Sequence, residues 1–209
     1  MEEPHALLKT FQTSAENVSA VVSRVASMEA AISYAMELCE TKEACQLLVS
    51  GCESRLSQPA EKLCDIKQTK VLAAPLIPEE DITFLGTLCA QNGVRLVREG
   101  LRDHLAGIDM GLTIVDYGIA ETGTLVIDSS NEDVRLATMV SEVHVAVLPA
   151  GRIRKTSFDL EEELRDLFGA APNYYAFITG ASRTADIERV LALGVHGPLE
   201  LHILVLEDD

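Results

Sequence analysis

The chain has 209 residues, with 33 acidic against 17 basic side chains and a formal charge of −16. Hydrophobic residues at 47% and charged residues at 24% describe a folded chain with a core of its own and exclude a disordered one. A pI near 4.6 argues against nucleic acid or an anionic membrane surface as the main partner, because both demand a basic face.

The first ~15 residues read as an appended helix and residues 16–209 as one α/β domain. Apolar runs such as Val145 to Leu148 are only a few residues long, so no bilayer span is expected. The start, Met1-Glu2-Glu3-Pro4-His5, lacks the apolar stretch of a signal peptide, which points to the cytoplasm. Met28, Ile32, Ala35, Met36 and Cys39 recur at helical spacing after Ser27, a candidate N-cap. Gln46 to Ser50 is an apolar run stopped by Gly51 and reads as a buried strand. Glu53 to Ile66 reads as a short helix, and Lys70 to Ala74 as a strand closed by Pro75. Asp81 to Gln91 is a helix with Ile82, Leu85, Leu88 and Cys89 inward, stopped by Asn92-Gly93. Val94 to Val97 is again a strand. This βα rhythm predicts a mostly parallel sheet with helices on both faces.

Strands crowd together in the second half: Thr124 to Ile127, Val143 to Leu148, Ala176 to Thr179 and Leu201 to Val205. One helix interrupts them. Asp159 is its candidate cap, Glu162 follows three residues on, and Leu160, Leu164, Leu167 and Phe168 form its apolar stripe before Gly169.

The cysteines, at 39, 45, 52, 64 and 89, contain no C-x-x-C pair, so the spacing that holds zinc or an iron–sulfur cluster is missing. They read as small buried hydrophobes or free thiols in a reducing compartment. The histidines, at 5, 104, 144, 196 and 202, show no i, i+3 or i, i+4 pairing, and no metal site is expected. P-loop, G-x-G-x-x-G, G-x-S-x-G and H-E-x-x-H patterns are all missing.

Three polar, glycine-bearing clusters remain. The first runs from Asp116 through Glu121, Thr122, Gly123 and Thr124 into a strand. It fits either a tight turn with a solvated Glu121 or a carboxylate placed for chemistry, since glycine permits positive φ and close ligand approach. The second holds Asn131, Arg135 and His144; the arginine is either a surface charge or a fork for a carboxylate or phosphate, and the histidine either a core residue or a ligand contact. The third is Gly180-Ala181-Ser182-Arg183-Thr184-Ala185-Asp186, where a strand ends and a Ser/Thr-rich helix start is expected. Free amides there would attract an anion at the carboxyl end of a strand, the usual place in open α/β sheets; plain N-capping is the other reading. A turn with His196 and Gly197 leads to the last strand.

Taken in order, these segments resemble the LutC/YkgG family, the LUD domain of lactate utilisation proteins. The resemblance rests on Gly111-Leu112-Thr113 with Asp116, on Ala120-Glu121-Thr122-Gly123-Thr124, on Arg135 and Val143-His144-Val145, and on Ser182-Arg183-Thr184-Ala185-Asp186-Ile187-Glu188. It closes with Leu193-Gly194-Val195-His196-Gly197-Pro198 and Leu201-His202, and it covers roughly residues 105–206 closely. Ser141-Glu142 and Ala181 stand where the family often has proline, which touches loop stiffness more than polar chemistry.

The resemblance implies a fold like the NagB/RpiA/CoA-transferase group and a part in oxidising L-lactate to pyruvate. It implies LutA-like and LutB-like partners that carry the iron–sulfur clusters, with no cofactor on this chain. A small carboxylate or phosphate-bearing ligand would lie among the three clusters. The alternatives are a stand-alone CoA-transferase-like or sugar-phosphate-type enzyme with Glu121 as nucleophile or base, and a non-catalytic regulatory or scaffold module; among partners, a homo-oligomer stays open. Residues 111–209 hold 17 acidic and 7 basic side chains, six of the latter arginines. Any anion site there must therefore depend on local groups such as Arg135 and Arg183 rather than on the field of the whole chain.

Overall fold

The computed structural model describes residues 4–42, 69–104, 107–168, 174–184, 192–193 and 197–207, with the main chain alone at 4, 166–168, 183–184 and 192–193. The strand expected at Gln46–Ser50 and the helix expected at Glu53–Ile66 lie outside the described residues.

The elements in chain order begin with α1 (Pro4–Asn17), β1 (Ala20–Val25), α2 (Met28–Thr41), β2 (Val71–Ala73), α3 (Glu79–Gln91) and β3 (Arg95–Val97). After a 3-10 turn at Leu101–His104 come β4 (Ile108–Ile114), β5 (Tyr117–Ile119), β6 (Thr124–Asp128), α4 (Glu132–Val140) and β7 (Ser141–Pro149). The chain then runs through β8 (Ile153–Arg154), a 3-10 turn at Ser157–Leu160, α5 (Glu161–Phe168), β9 (Tyr175–Thr179), β10 (Arg183–Thr184), β11 (Ala192–Leu193) and β12 (Glu200–Leu206).

Six strands form one sheet in the order β1-β12-β7-β4-β2-β3, and every pairing is parallel. Both faces of its centre are covered, so β4, β7 and β12 are apolar almost throughout rather than alternating. On one face, Met110, Leu112, Val143, Val145 and Leu204 meet Ile32, Ala35 and Met36 of α2 and Ile82 and Leu85 of α3. Ser27 caps α2 through the amide of Ala30, as its sequence position suggests. Lys70 Nζ donates to the carbonyls of Cys39 and Glu40, satisfying the other end of that helix.

The opposite face departs from helices alone. A second sheet, β8-β5-β6-β9, lies there with α1. Its β5–β6 and β6–β9 pairs are antiparallel and β5–β8 is parallel. Leu125 and Ile127 of β6 join Ala146, Leu148, Leu201 and Ile203 of the large sheet, and Phe11 and Ala15 of α1 are fully buried among them. α1 is thus a layer of the core, and it ends at Asn17, two residues beyond the ~15-residue extension read from sequence. Only β5 and β6 of the small sheet come between β4 and β7, with β8 and β9 following β7, and α4 carries the chain from β6 back to the amino edge of the large sheet.

One cap differs from expectation. Thr156, not Asp159, is the N-cap of the 3-10 turn that precedes α5. The Asp159 carboxylate accepts from the Thr156 amide and hydroxyl at 2.8 and 2.9 Å. The pattern is a capping box one turn earlier than the apolar stripe indicated, and those same hydrogen bonds hold the Asp159 carboxyl below its ordinary range.

Candidate functional site

A cleft of about 520 Å³ opens beside β9. It is lined by Asn17 and Val18 ahead of β1, Thr138 and Met139 ahead of β7, Gly197 and Pro198 ahead of β12, and the run from Phe177 to Ser182. The first three pairs all precede parallel strands, so the cleft lies at the amino edge of the large sheet. The expected ligand position was the carboxyl end of a strand. Thr179 does end a strand, but that strand belongs to the small sheet and stands at the opposite edge of the large one.

Main-chain contacts join the walls. Ser182 N donates to Pro198 O at 2.9 Å and Leu199 N to Glu142 O at 2.8 Å. Gly180 has φ +75°, and a Cβ there would sit 2.2 Å from Val18 O; Gly123 has φ +65°, and a Cβ there would sit 2.2 Å from Ala15 N. Both turns therefore close directly onto the end of α1, which only glycine allows. Behind the wall, Thr122, Thr124 and Thr179 form a hydroxyl chain with O–O distances of 2.7 and 2.8 Å. Thr124 is buried and lies opposite Thr179 in the β6–β9 register.

The other residues singled out from sequence have their own partners. Glu121 is exposed at the turn after β5, where its carboxylate accepts from the Ser157 amide at 3.1 Å; it does not line the cleft. Asp116 accepts from the Asp128 amide at 2.6 Å. Burial pushes its carboxyl up, with the Asp128 charge adding to it and the Asp128 amide and Arg152 opposing it. Asn131 is the N-cap of α4, its side chain accepting from the amides of Asp133 and Val134. Arg135 Nη1 donates to the carbonyls of Ser129 and Ser130, which fastens the loop before α4.

His144 is fully buried in β7. Its Nε2 pairs with Thr113 Oγ1 at 2.8 Å and its Nδ1 has no partner. Burial lowers its pKa to about 4, so the ring is neutral at physiological pH. Arg183 and Thr184 stand in β10, paired antiparallel with Leu193 and Ala192. A helix starting at Ser182 or Thr184 is thereby replaced by a strand; Ala185, Asp186 and His196 lie outside the described residues. Of the sequence-predicted set, the structure brings Gly180, Ser182 and Gly197 together on the cleft, with Thr122, Gly123 and Thr124 behind it.

A family model described as the LUD domain matches residues 8–206. The chain belongs to the LUD domain family. This LUD domain is 34% identical over 102 residues to Lactate utilization protein C of Shouchella clausii, covering 48% of this chain and 44% of that one. It is 36% identical over 113 residues to Lactate utilization protein C of Halalkalibacterium halodurans, covering 53% and 49%. The matched region thus spans about half the length of these relatives. Among solved structures, a DUF162 family protein from Deinococcus radiodurans superposes over 99% of both chains with a TM-score of 0.61 at 17% identity, which shows the fold.

Sequence reasoning missed one polar group of the LUD domain. Tyr34 Oη lies 2.8 Å from His202 Nδ1, and His202 Nε2 lies 3.1 Å from Glu200 Oε2, whose other oxygen pairs with Lys42. Burial pushes the Glu200 carboxyl up, but hydrogen bonds and charge from Lys42 and His202 outweigh it and the net shift is downward. The sequence signal was the i, i+2 pair Glu200–His202, which places both side chains on one face of β12. The hydrogen bonds fasten α2 to the amino end of that strand, on the face away from the cleft.

Among the described residues no three His, Cys, Asp or Glu side chains are grouped to hold a metal ion, and no helix is long and apolar enough to cross a membrane. Cys39 and Cys89 are buried thiols; burial, aided by Cys39, pushes Cys89 up to about 11, which keeps it protonated and unreactive. Cys45, Cys52 and Cys64 lie outside the described residues.

Proposed function

We propose that this LUD domain works in lactate utilisation as a component of an L-lactate oxidation system whose electron carriers sit on other subunits. The observation that carries the reading is the 34–36% identity to two proteins named Lactate utilization protein C. Oxidation of lactate to pyruvate releases two electrons and two protons. In this reading the electrons pass to iron–sulfur clusters on LutA-like and LutB-like partners, and this chain, in the cytoplasm, holds a small carboxylate.

The cleft suits that task. Its polar side chains, Asn17, Thr138, Thr179 and Ser182, are neutral hydrogen-bonding groups, set among apolar ones such as Met139 and Phe177. Neutral donors orient a carboxylate, and the compensating charge is assigned in this reading to Arg183, next in sequence after Ser182, whose side chain lies outside the described residues. Glu121 has no part in this scheme. The test is reconstitution of dye-linked L-lactate oxidation from the candidate subunits, with and without this chain. Omission is expected to abolish turnover, and Arg183→Ala to lower it by about tenfold or more, the loss of one charge-assisted contact. Equal turnover without the chain overturns the reading.

A further inference from the structure

The cleft beside β9 is too large for lactate alone. It measures about 520 Å³. A dry cavity of ~150 Å³ is enough for benzene, a molecule of six heavy atoms. Lactate also has six, three carbons and three oxygens, so it would take roughly a third of the cleft or less.

The remaining wall is not polar. Beside the hydrogen-bonding side chains the cleft is lined by Val18, Met139, Phe177, Ile178, Ala181 and Pro198. Ile178 and Ala181 pack inward against the core between the two sheets. Phe177 and Met139 do otherwise. Phe177 is 49% exposed and Met139 57%, and among the described residues neither packs against any of the apolar core clusters. The fold of the described residues does not use these two large side chains for its own packing, yet both stand at the cleft. Apolar surface in that position favours an apolar ligand group over water. Each methylene covered there strengthens binding by up to about fourfold.

We infer that the ligand of the cleft is a 2-hydroxy acid whose side chain is apolar and longer than the methyl group of lactate. The carboxylate lies among the polar groups and the side chain on Phe177 and Met139. Met139, unbranched and polarisable, adapts to branched and aromatic chains alike, and the Phe177 ring offers a face or an edge to an aromatic one. The inference rests on the reading that the cleft holds a small carboxylate, and it names the part of the acid which that reading leaves open.

Calorimetry on the full chain tests it, with L-lactate, L-2-hydroxybutanoate, L-2-hydroxy-4-methylpentanoate and L-3-phenyllactate as the probes. Affinity is expected to rise along the series, with the last two acids at least ~10-fold tighter than lactate. Phe177→Ser and Met139→Ser should each shrink that ratio about threefold or more, with the thermal melt unchanged because both side chains are half exposed. Phe84→Ser, on α3 and outside the cleft, should leave the ratio as it is. Lactate bound as tightly as the longer acids overturns the inference and leaves the lactate reading standing. A ratio that neither substitution at the cleft changes also overturns it. Binding of none of the four acids overturns it together with the placing of a carboxylate in the cleft, while the reconstitution above decides separately whether this chain takes part in lactate oxidation.

Discussion

The two edges of the large parallel sheet are built from different chemistry. At the carboxyl edge the strands run into caps and short turns whose polar groups answer one another: Ser27 caps α2, the carboxylate of Asp116 takes the Asp128 amide, and Asn131 and Arg135 fasten the start of α4. At the amino edge the walls are glycine turns and hydroxyls, and they leave a cleft. Open α/β sheets ordinarily bind ligands at the carboxyl edge. Here the described cleft lies at the amino edge instead. The small sheet lies over one face and brings its Gly123 and Gly180 turns down beside the start of β1. The edge that receives glycine turns from a second layer holds the described cleft.

Substitutions at the two edges should part company accordingly. The largest effect is expected at the amino edge. Gly180→Val forces a side chain onto a positive φ and against the Val18 carbonyl, and should cost about 2–4 kcal/mol of unfolding free energy in urea. It should also abolish whatever binds the cleft, because the wall itself must move.

His144, between the edges, should make stability pH-dependent. Its folded pKa of about 4 lies below the ordinary 6.5, so the unfolded chain binds more protons between those values. Stability gained from the neutral ring is complete above pH ~6.5 and is lost as pH falls toward 4, by up to about 3 kcal/mol. Comparing the wild type with His144→Asn across that window isolates this contribution from the opposing one of Asp116, whose carboxyl burial pushes up. Parallel pH curves for the two proteins would refute it.

The smallest effect is expected on the carboxyl side. Arg135→Ala removes two hydrogen bonds to carbonyls and should cost about 1–2 kcal/mol in chemical denaturation. Carboxylate binding measured by calorimetry should be unchanged. A loss of binding without a loss of stability would move the anion site to the second polar cluster and remove the contrast between the edges.

The elements most legible in the sequence were those whose own residues carry the period. α2 with its Ser27 cap, α3 up to Asn92, and the apolar runs of β7 and β12 lie within two or three residues of their expected places. Legibility fell where a segment depends on a distant partner. β5 is three residues long and exists only because β6 and β8 flank it. Arg183–Thr184 reads as a helix start but pairs with Ala192–Leu193, a contact that local propensity does not encode.

Residue types and spacing were enough to establish an α/β chain with a parallel sheet, its family, and the polar clusters through which chemistry would act. Spacing could not say which cluster members point at one another. Asp116, Asn131, Arg135 and His144 look like site residues in one dimension, and in three each has a donor or acceptor of its own or sits in the core. Gly180, Ser182 and Gly197, candidates in one dimension as well, are the ones that line a cleft. The difference is physical: a side chain's type limits the bonds it can make, but the fold alone determines whether a neighbour 10 or 100 residues away has already made them.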